Sequence, residues 1–408
     1  MQNQRVVEGV SVEMAQLILR EHLGDKTAKI IDLSVEPMQH DGHGGNDISR
    51  AKVLWTAQER GNGSANWVIK HWRPGGLTGL AMGVTAPAEA LAWSHGLIRP
   101  ESLPSGLVAP FVGVILDEER VSARIVMEDI SEELSAYARR SLSPGERVKR
   151  DRFILDRLAC FHVRWEPPER FAKLEEHSWL LPQELRLGCL ADFFSQCVGR
   201  RSQKAPSDST GQEVRKDFIG FLDWAREGVL AFLNWLPEAD RCLWEEHLCD
   251  RQPLIEAFSA LPRTLLHGDT DPRNVGLRWR GDQIELLLID WEWIGTGSPA
   301  LDVVHFIRPF HNTDSAQSLS EHYFDCYVVH GGRAMDRPIW ERAYHLALIY
   351  DGLWNFPHFA GHALHKGPEA VEQTKRKAEQ ITQAMRKWLT HSHEKSDFAD
   401  QVGQSKNL

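Results

Sequence analysis

Residues 265–302, LLHGDTDPRNVGLRWRGDQIELLLIDWEWIGTGSPALD, gather the residue types that can hold a hard cation and move a proton. Val275–Trp279 and Ile284–Ile289 read as two strands joined by the short turn Arg280-Gly281-Asp282-Gln283, which makes a hairpin. Polar clusters stand at its outer ends, His267-Gly268-Asp269 through Asn274 on one side and Asp290-Trp291-Glu292 on the other. Antiparallel pairing brings those ends together, so Asp269, Asn274 and Asp290 can converge. Oxygen ligands collected in this way suit Mg²⁺, which takes one or two protein carboxylates and completes its shell with waters and phosphates. The remaining carboxylate is then available for proton transfer. Asp, Asn and Gly also gather at strand ends simply because they make turns. The signal therefore lies in the conjunction of His-Gly-Asp, Asn, a hairpin and Ile-Asp.

The rest of the chain must position that stretch. Ser11 can cap a helix with apolar residues at Val12, Ala15, Ile18, Leu19 and Leu23, ended by Gly24. From Ala28 to His71 three strands follow, separated by Gly-rich turns, and form an antiparallel meander. A short helix, AEALAWSHGL, opens after Pro87, and GLVAPFVGVILD and SARIVMEDI then read as two more strands. Beyond Ile130 the texture is helical, as in ERVKRDRFILDRLACFHVRW and KDFIGFLDWAREGVLAFLNWL. A polar segment around 199–213 reads as a loop, helical spacing resumes from Ser315 to about Thr390, and 391–408 reads as a frayed tail.

Composition bounds the function. The chain has 408 residues, a formal net charge of −10 and 42% hydrophobic residues, which excludes wholesale disorder and leaves no general attraction for nucleic acid or anionic membranes. Its start has no apolar core behind a basic segment, and no apolar run approaches a membrane span, so a cytoplasmic protein is expected. The six cysteines form no C-x-x-C pair and are expected to be buried free thiols. His40, Asp41 and His43 form a short loop better read as solvated than as a metal site, and His162 and His305 read as core or surface. The count that stands out is Trp 15 against Tyr 5. Trp55, Trp67, Trp72, Trp93, Trp279, Trp291 and Trp293 fall on the framework of the strands, the short helix and the hairpin, and others in the helical region are candidates for lining a pocket.

The segment resembles the catalytic core of the aminoglycoside phosphotransferase and choline kinase-like families of small-molecule kinases. It carries His267-Gly268-Asp269, four residues, Asn274, then Leu-Ile-Asp290-Trp291-Glu292, Gly297-Ser298-Pro299 and Asp302-Val303-Val304. Thr270-Asp271 and Arg273 depart from the usual pattern and border the expected acceptor site. The resemblance implies an α+β, protein kinase-like bilobal fold. A small antiparallel β-rich lobe with one helix would span 1–130, and a larger helical lobe carrying the catalytic hairpin would span 131–390. It also asks for four features in the first half, which the chain offers in order: a Gly-rich turn with Gly44 and Gly45, Lys70 in the third strand, Glu89 in the helix, and Met127-Glu128-Asp129-Ile130 as the hinge.

The activity implied by the resemblance is phosphoryl transfer from ATP, or GTP, to a hydroxyl of a small molecule, an aminoglycoside-like antibiotic or another amino or sugar metabolite. Lys70 would grip the α/β-phosphates with Glu89 holding it, Asn274 and Asp290 would bind Mg²⁺, and Asp269 would accept the proton of the acceptor hydroxyl. The backbone around Glu128–Ile130 would meet the adenine. His267 would be scaffold, Asp302 would bond to the catalytic loop, and Glu292 would either support the site or touch the acceptor. The rival readings are an inactive binding module on the same fold, a metabolic kinase of choline, methylthioribose or homoserine type, and a protein kinase. Retention of Lys70, Asp269, Asn274 and Asp290 argues against the first, and the lack of room for an activation segment argues against the last.

Overall fold

A computed structural model describes residues 10–38, 47–73, 86–117, 122–134, 142–189, 216–307 and 313–405. The expected Gly-rich turn with Gly44 and Gly45, the loop with His40, Asp41 and His43, and the 199–213 segment lie outside the described residues. The chain divides into two compact units, Met1–Arg147 with Asp269–Ile294, and Val148–Gly268 with Gly295–Leu408. Thus the first division falls at Arg147 and not near Ile130, and the hairpin groups with the N-terminal unit. A strand pairing between segments far apart in the chain accounts for that grouping.

The first unit begins with α1 (Val12–Leu23), whose N-cap Ser11 side chain accepts from the Met14 N–H and whose C-cap Gly24 is left-handed. Strands β1 (Lys29–Pro37), β2 (Asp47–Ala57) and β3 (Gly61–Trp72) form the expected meander, and α2 (Ala88–Ser94) follows. The stretch GLVAPFVGVILD, expected as one strand, is two: β4 (Leu107–Val108) and β5 (Phe111–Asp117). Pro110 has no N–H to continue the ladder, so the chain changes sheets there. With β6 (Ser122–Glu128) the main sheet is antiparallel in the order β1-β2-β3-β6-β5. The departing β4 instead pairs in parallel with β9 (Gln283–Leu288), which pairs antiparallel with β8 (Val275–Arg280). This three-stranded sheet ties the hairpin to the N-terminal unit.

Strand periodicity sorts the residues of β3 between two faces. Trp67 and Ile69 join Ala15, Ile18, Leu19, Ala51, Val53 and Val126 in the core beneath α1. Lys70 and Trp72, on alternate positions, are both buried as well. Lys70 is fixed in register between Ile48 of β2 and Ile125 of β6.

The second unit is mainly helical: α3 (Pro144–Arg164, which enters it at Val148), α4 (Pro168–Glu175), α5 (Arg186–Cys189), α6 (Lys216–Trp235), α7 (Glu238–Cys249), α8 (Gln252–Ser259), α9 (Ala300–Ile307), α10 (Thr313–Val329), α11 (Arg337–Lys366) and α12 (Pro368–Ser405). Phe232, Trp244 and Phe356 pack ring against ring, with Phe232 and Trp244 centroids 4.6 Å apart, and the Trp244 indole N–H donates to Thr382. The short strands β7 (Thr264–Leu266) and β10 (Gly295–Gly297) pair antiparallel where the chain leaves this unit and returns to it. The segment expected as a frayed tail is helical through Ser405, since helix propensity does not require apolar periodicity. Cys160, Cys242, Cys249 and Cys326 are free thiols, but they are half-buried or exposed, not sealed in the core. Among the described residues no helix is long and apolar enough to cross a membrane.

Gly113 in β5 marks where α1 comes closest. A Cβ built there would lie 2.9 Å from Cγ2 of Ile18, which is buried. Gly113→Ala is therefore expected to destabilise the protein by about 1–3 kcal/mol, and to cost less in an Ile18→Ala background, where Cγ2 is gone. Urea unfolding of the single and double variants checks this.

Candidate functional site

The chemistry-bearing residues of the first unit meet around one ammonium. Nζ of Lys70 lies 2.9 Å from Oε2 of Glu89, 2.5 Å from Oδ1 of Asp290 and 3.2 Å from Oε2 of Glu292. β3, α2 and the turn after β9 each contribute, so the site draws on segments far apart in the chain. Burial alone would lower the pKa of Lys70. The pull of Asp290, Glu89 and Glu292 outweighs it and holds the ammonium well above the ordinary lysine value. Burial, reinforced by Asp290 and Glu292, raises the pKa of Glu89 in spite of the lysine beside it.

Second bonds fix the geometry. Oε1 of Glu89 accepts from the backbone N–H of Trp291, which ties α2 to the residue after Asp290. Oε1 of Glu292 accepts from the Trp72 indole N–H at 3.2 Å. Asp290 itself has φ 63° and ψ 56°, the one left-handed non-glycine residue among those described. That conformation costs a non-glycine residue of order 1 kcal/mol and persists only where surrounding bonds enforce it. The side chain of Asp290 is 40% exposed, against 6% for Lys70 and 2% for Glu89. The expected hairpin is present, and it places Asp290 where the ammonium can be reached.

Asp269 and Asn274 form a second group in the same unit. The Asn274 amide donates to both the backbone oxygen of Asp269, at 3.0 Å, and its Oδ2, at 2.9 Å. Since the nitrogen must face those acceptors, the amide oxygen of Asn274 is the atom suited to a cation. Between them Asp271 caps the short turn Pro272–Asn274 and accepts from the backbone N–H and the Nε of Arg273, both at 2.9 Å. The Asp271 and Arg273 departures from the usual pattern are thus one local capping device.

His267 and Asp302 belong to the second unit. Asp302, at the start of α9, is buried and accepts from the backbone N–H of His267 at 2.8 Å and of Gly268 at 2.9 Å, the two residues preceding Asp269. Gly268 has φ 84°, a conformation that glycine adopts without strain. His162 of α3 completes this arrangement, with Nε2 3.1 Å from Asp302 and Nδ1 2.7 Å from the Tyr323 hydroxyl. The ionised Asp302 only accepts, so Nε2 of His162 donates to it. Burial would raise the Asp302 pKa, but the bond and charge of His162, the His267 imidazole and the Gly268 N–H bring it below the ordinary 3.8.

The hinge residues are more constrained than the sequence suggests. The N–H groups of Glu128 and Asp129 bond to the carbonyls of Pro110 and Asn66, and the Asp129 carboxylate is held by Arg50 at 2.7 Å and by Ser131. Glu128 pairs with Arg278 at 2.8 Å, and Met127 and Ile130 are buried. Gly44 and Gly45 cannot be placed, since they lie outside the described residues. Sequence reading assigned no site role to Trp72, His162 or Tyr323. Trp72 carried a signal in its alternation with Lys70 along β3, whereas Tyr323, distant in the chain, carried none. Among the described residues no group of three or more His, Cys, Asp or Glu is arranged to hold a metal.

Residues 199–336 match the model of the phosphotransferase enzyme family. That stretch includes His267, Asp269, Asn274, Asp290 and Asp302 and excludes Lys70 and Glu89. A search of curated proteins returns no match. Among solved structures, a microcompartment-associated aminopropanol kinase is similar at 12% identity and TM-score 0.44, over 93% of this chain and 98% of that one. The GDP complex of a wild-type aminoglycoside 2′-phosphotransferase is similar at 12% identity and TM-score 0.43, over 93% and 99%. A spectinomycin phosphotransferase in complex with ADP and spectinomycin is similar at 12% identity and TM-score 0.41, over 91% and 98%.

Asp302→Asn would present an amide donor to the N–H groups that the carboxylate now accepts. The substitution is expected to cost about 3 kcal/mol at neutral pH. Because the folded pKa of Asp302 is depressed, its contribution is complete above the ordinary value of 3.8 and is lost as pH falls through the folded value. Urea unfolding as a function of pH should therefore show the wild type and the variant converging only below about pH 4.

Proposed function

We propose that the protein transfers the γ-phosphoryl group of a nucleoside triphosphate to a hydroxyl of a small molecule. The observation that carries this reading is the Lys70 ammonium held by Glu89 and Asp290, from three distant segments, beside a hairpin that also carries Asp269 and Asn274. Phosphoryl transfer asks chiefly for positioned reactants and neutralised charge, and this set supplies groups for both. The match of residues 199–336 to the phosphotransferase family supports the same chemistry.

In this reading Lys70 binds the α- and β-phosphates, and Glu89 keeps its ammonium from turning away. Three carboxylates facing one ammonium leave an excess of negative charge that suits a divalent cation, and Asp290 with the Asn274 amide oxygen would hold Mg²⁺. Bound there, the ion would neutralise phosphate oxygens of the nucleotide. Asp269 orients the acceptor hydroxyl and takes its proton as the oxygen attacks, while the Asn274 amide fixes the carboxylate. Asp302 restrains the backbone before Asp269, so the base starts from a defined place. Either ATP or GTP would serve as donor. A net charge of −10 favours a cationic acceptor, such as an aminoglycoside-like antibiotic or another amino or sugar metabolite. Nucleotide supply places such an activity in the cytoplasm.

The test is nucleotide consumption and product mass with a panel of amino sugars, amino alcohols and sugars, in both ATP and GTP. Asp269→Asn is expected to lower turnover about 10²–10⁴-fold with Mg-nucleotide affinity preserved. Equal turnover by the variant, or no consumption with any acceptor, would count against the proposal.

A further inference from the structure

The Lys70 ammonium donates to Glu89 at 2.9 Å and to Asp290 at 2.5 Å, and a third carboxylate, Glu292, stands in ion-pair contact at 3.2 Å. A phosphate arriving at this ammonium finds two of its N–H groups engaged and meets the negative charge of three carboxylates around it. The contacts of each carboxylate decide which one can yield. Glu89 is 2% exposed and also holds the Trp291 N–H, and Glu292 is 6% exposed and also holds the Trp72 indole N–H. Asp290 is 40% exposed and sits in a left-handed conformation at the end of the hairpin.

We infer that Glu292, oriented by Trp72, is a positioning residue that occupies Lys70 against phosphate and so makes nucleotide binding depend on a divalent cation. The inference rests on the phosphotransfer reading and deepens it. When Asp290 turns to a cation, one Lys70 proton is released toward the nucleotide. Without a cation, all three carboxylates remain on the ammonium and phosphate must displace one of them. Trp72 matters because its N–H fixes Oε1 of Glu292, which leaves Oε2 aimed at Lys70. The pleat puts Trp72, two residues beyond Lys70, on the same face of β3, and the 3-10 turn Trp291–Trp293 that follows Asp290 carries Glu292 to both. Glu292 on this account is neither an acceptor contact nor a metal ligand.

Calorimetric titration with ADP, in MgCl₂ and in EDTA, tests the inference on the full chain. In Glu292→Gln the amide oxygen can still accept from Trp72, but the NH₂ group no longer holds the ammonium. Its metal-free affinity for ADP is expected to rise roughly tenfold, the scale of one charge-assisted hydrogen bond, which narrows the gap between the two conditions. Trp72→Phe keeps a ring and removes the donor, and it should shift the metal-free affinity in the same direction by less. Thermal midpoints show that each variant is folded, and either variant alone suffices for the comparison. Unchanged metal-free affinity would overturn the inference, as would a loss in Glu292→Gln confined to MgCl₂, the mark of a metal ligand. A wild type that binds ADP under neither condition would contradict the phosphotransfer reading itself and this inference with it.

Discussion

A lysine ammonium is buried in the first unit under three carboxylates, and the local architecture answers to that fact. Removing a charged group from water costs several kcal/mol unless partners replace the solvent. The partners here come from α2 and from the turn after β9, so those elements must lie against β3 for the charge to be tolerated. Glu89 bonds to both Lys70 and the Trp291 N–H, which couples the helix to the catalytic hairpin through one side chain. The left-handed Asp290 is understood in the same way, since the strained backbone points its carboxylate at the ammonium.

A different device governs Asp269, the proposed base. Asp269 lies in a loop closed at one end by Asn274 and capped in the middle by Asp271. The backbone just before it is held by Asp302, which is supported in turn by His162 and Tyr323. The residues proposed to hold metal and phosphate therefore depend on charge compensation around Lys70, while the proposed base depends on backbone anchoring. Each set could be disturbed with the other left in place, which makes their roles separable by mutation.

Much of this was legible from sequence because the signals are local. The α1 cap, the meander and the hairpin follow from turn chemistry and periodicity, and the order of Lys70, Glu89 and Asp290 from the family resemblance. What was not legible came from contacts remote in sequence or from breaks within a run. The division of GLVAPFVGVILD at Pro110 hid in an apolar segment, and with it the β4–β9 pairing that assigns the hairpin to the first unit. Glu292 remained ambiguous because its partners, Lys70 and Trp72, lie 222 and 220 positions away. His162 looked like ordinary core because it sits among Leu158, Ala159 and Phe161, all buried; its bonds to Asp302 and Tyr323 required the fold. The tryptophans divide in the same way. Trp67, Trp244, Trp291 and Trp340 are packing residues, whereas Trp72 holds a site carboxylate.

The central claim is that Lys70 is the phosphate-binding group of a nucleotide site. Binding of a non-hydrolysable ATP analogue with Mg²⁺ to Lys70→Met, set beside the wild type and Asp269→Asn, tests it most directly. The account predicts that Lys70→Met loses affinity by roughly tenfold or more, as expected for loss of a charge-assisted contact, while Asp269→Asn binds like the wild type. Equal affinity in all three proteins would contradict it.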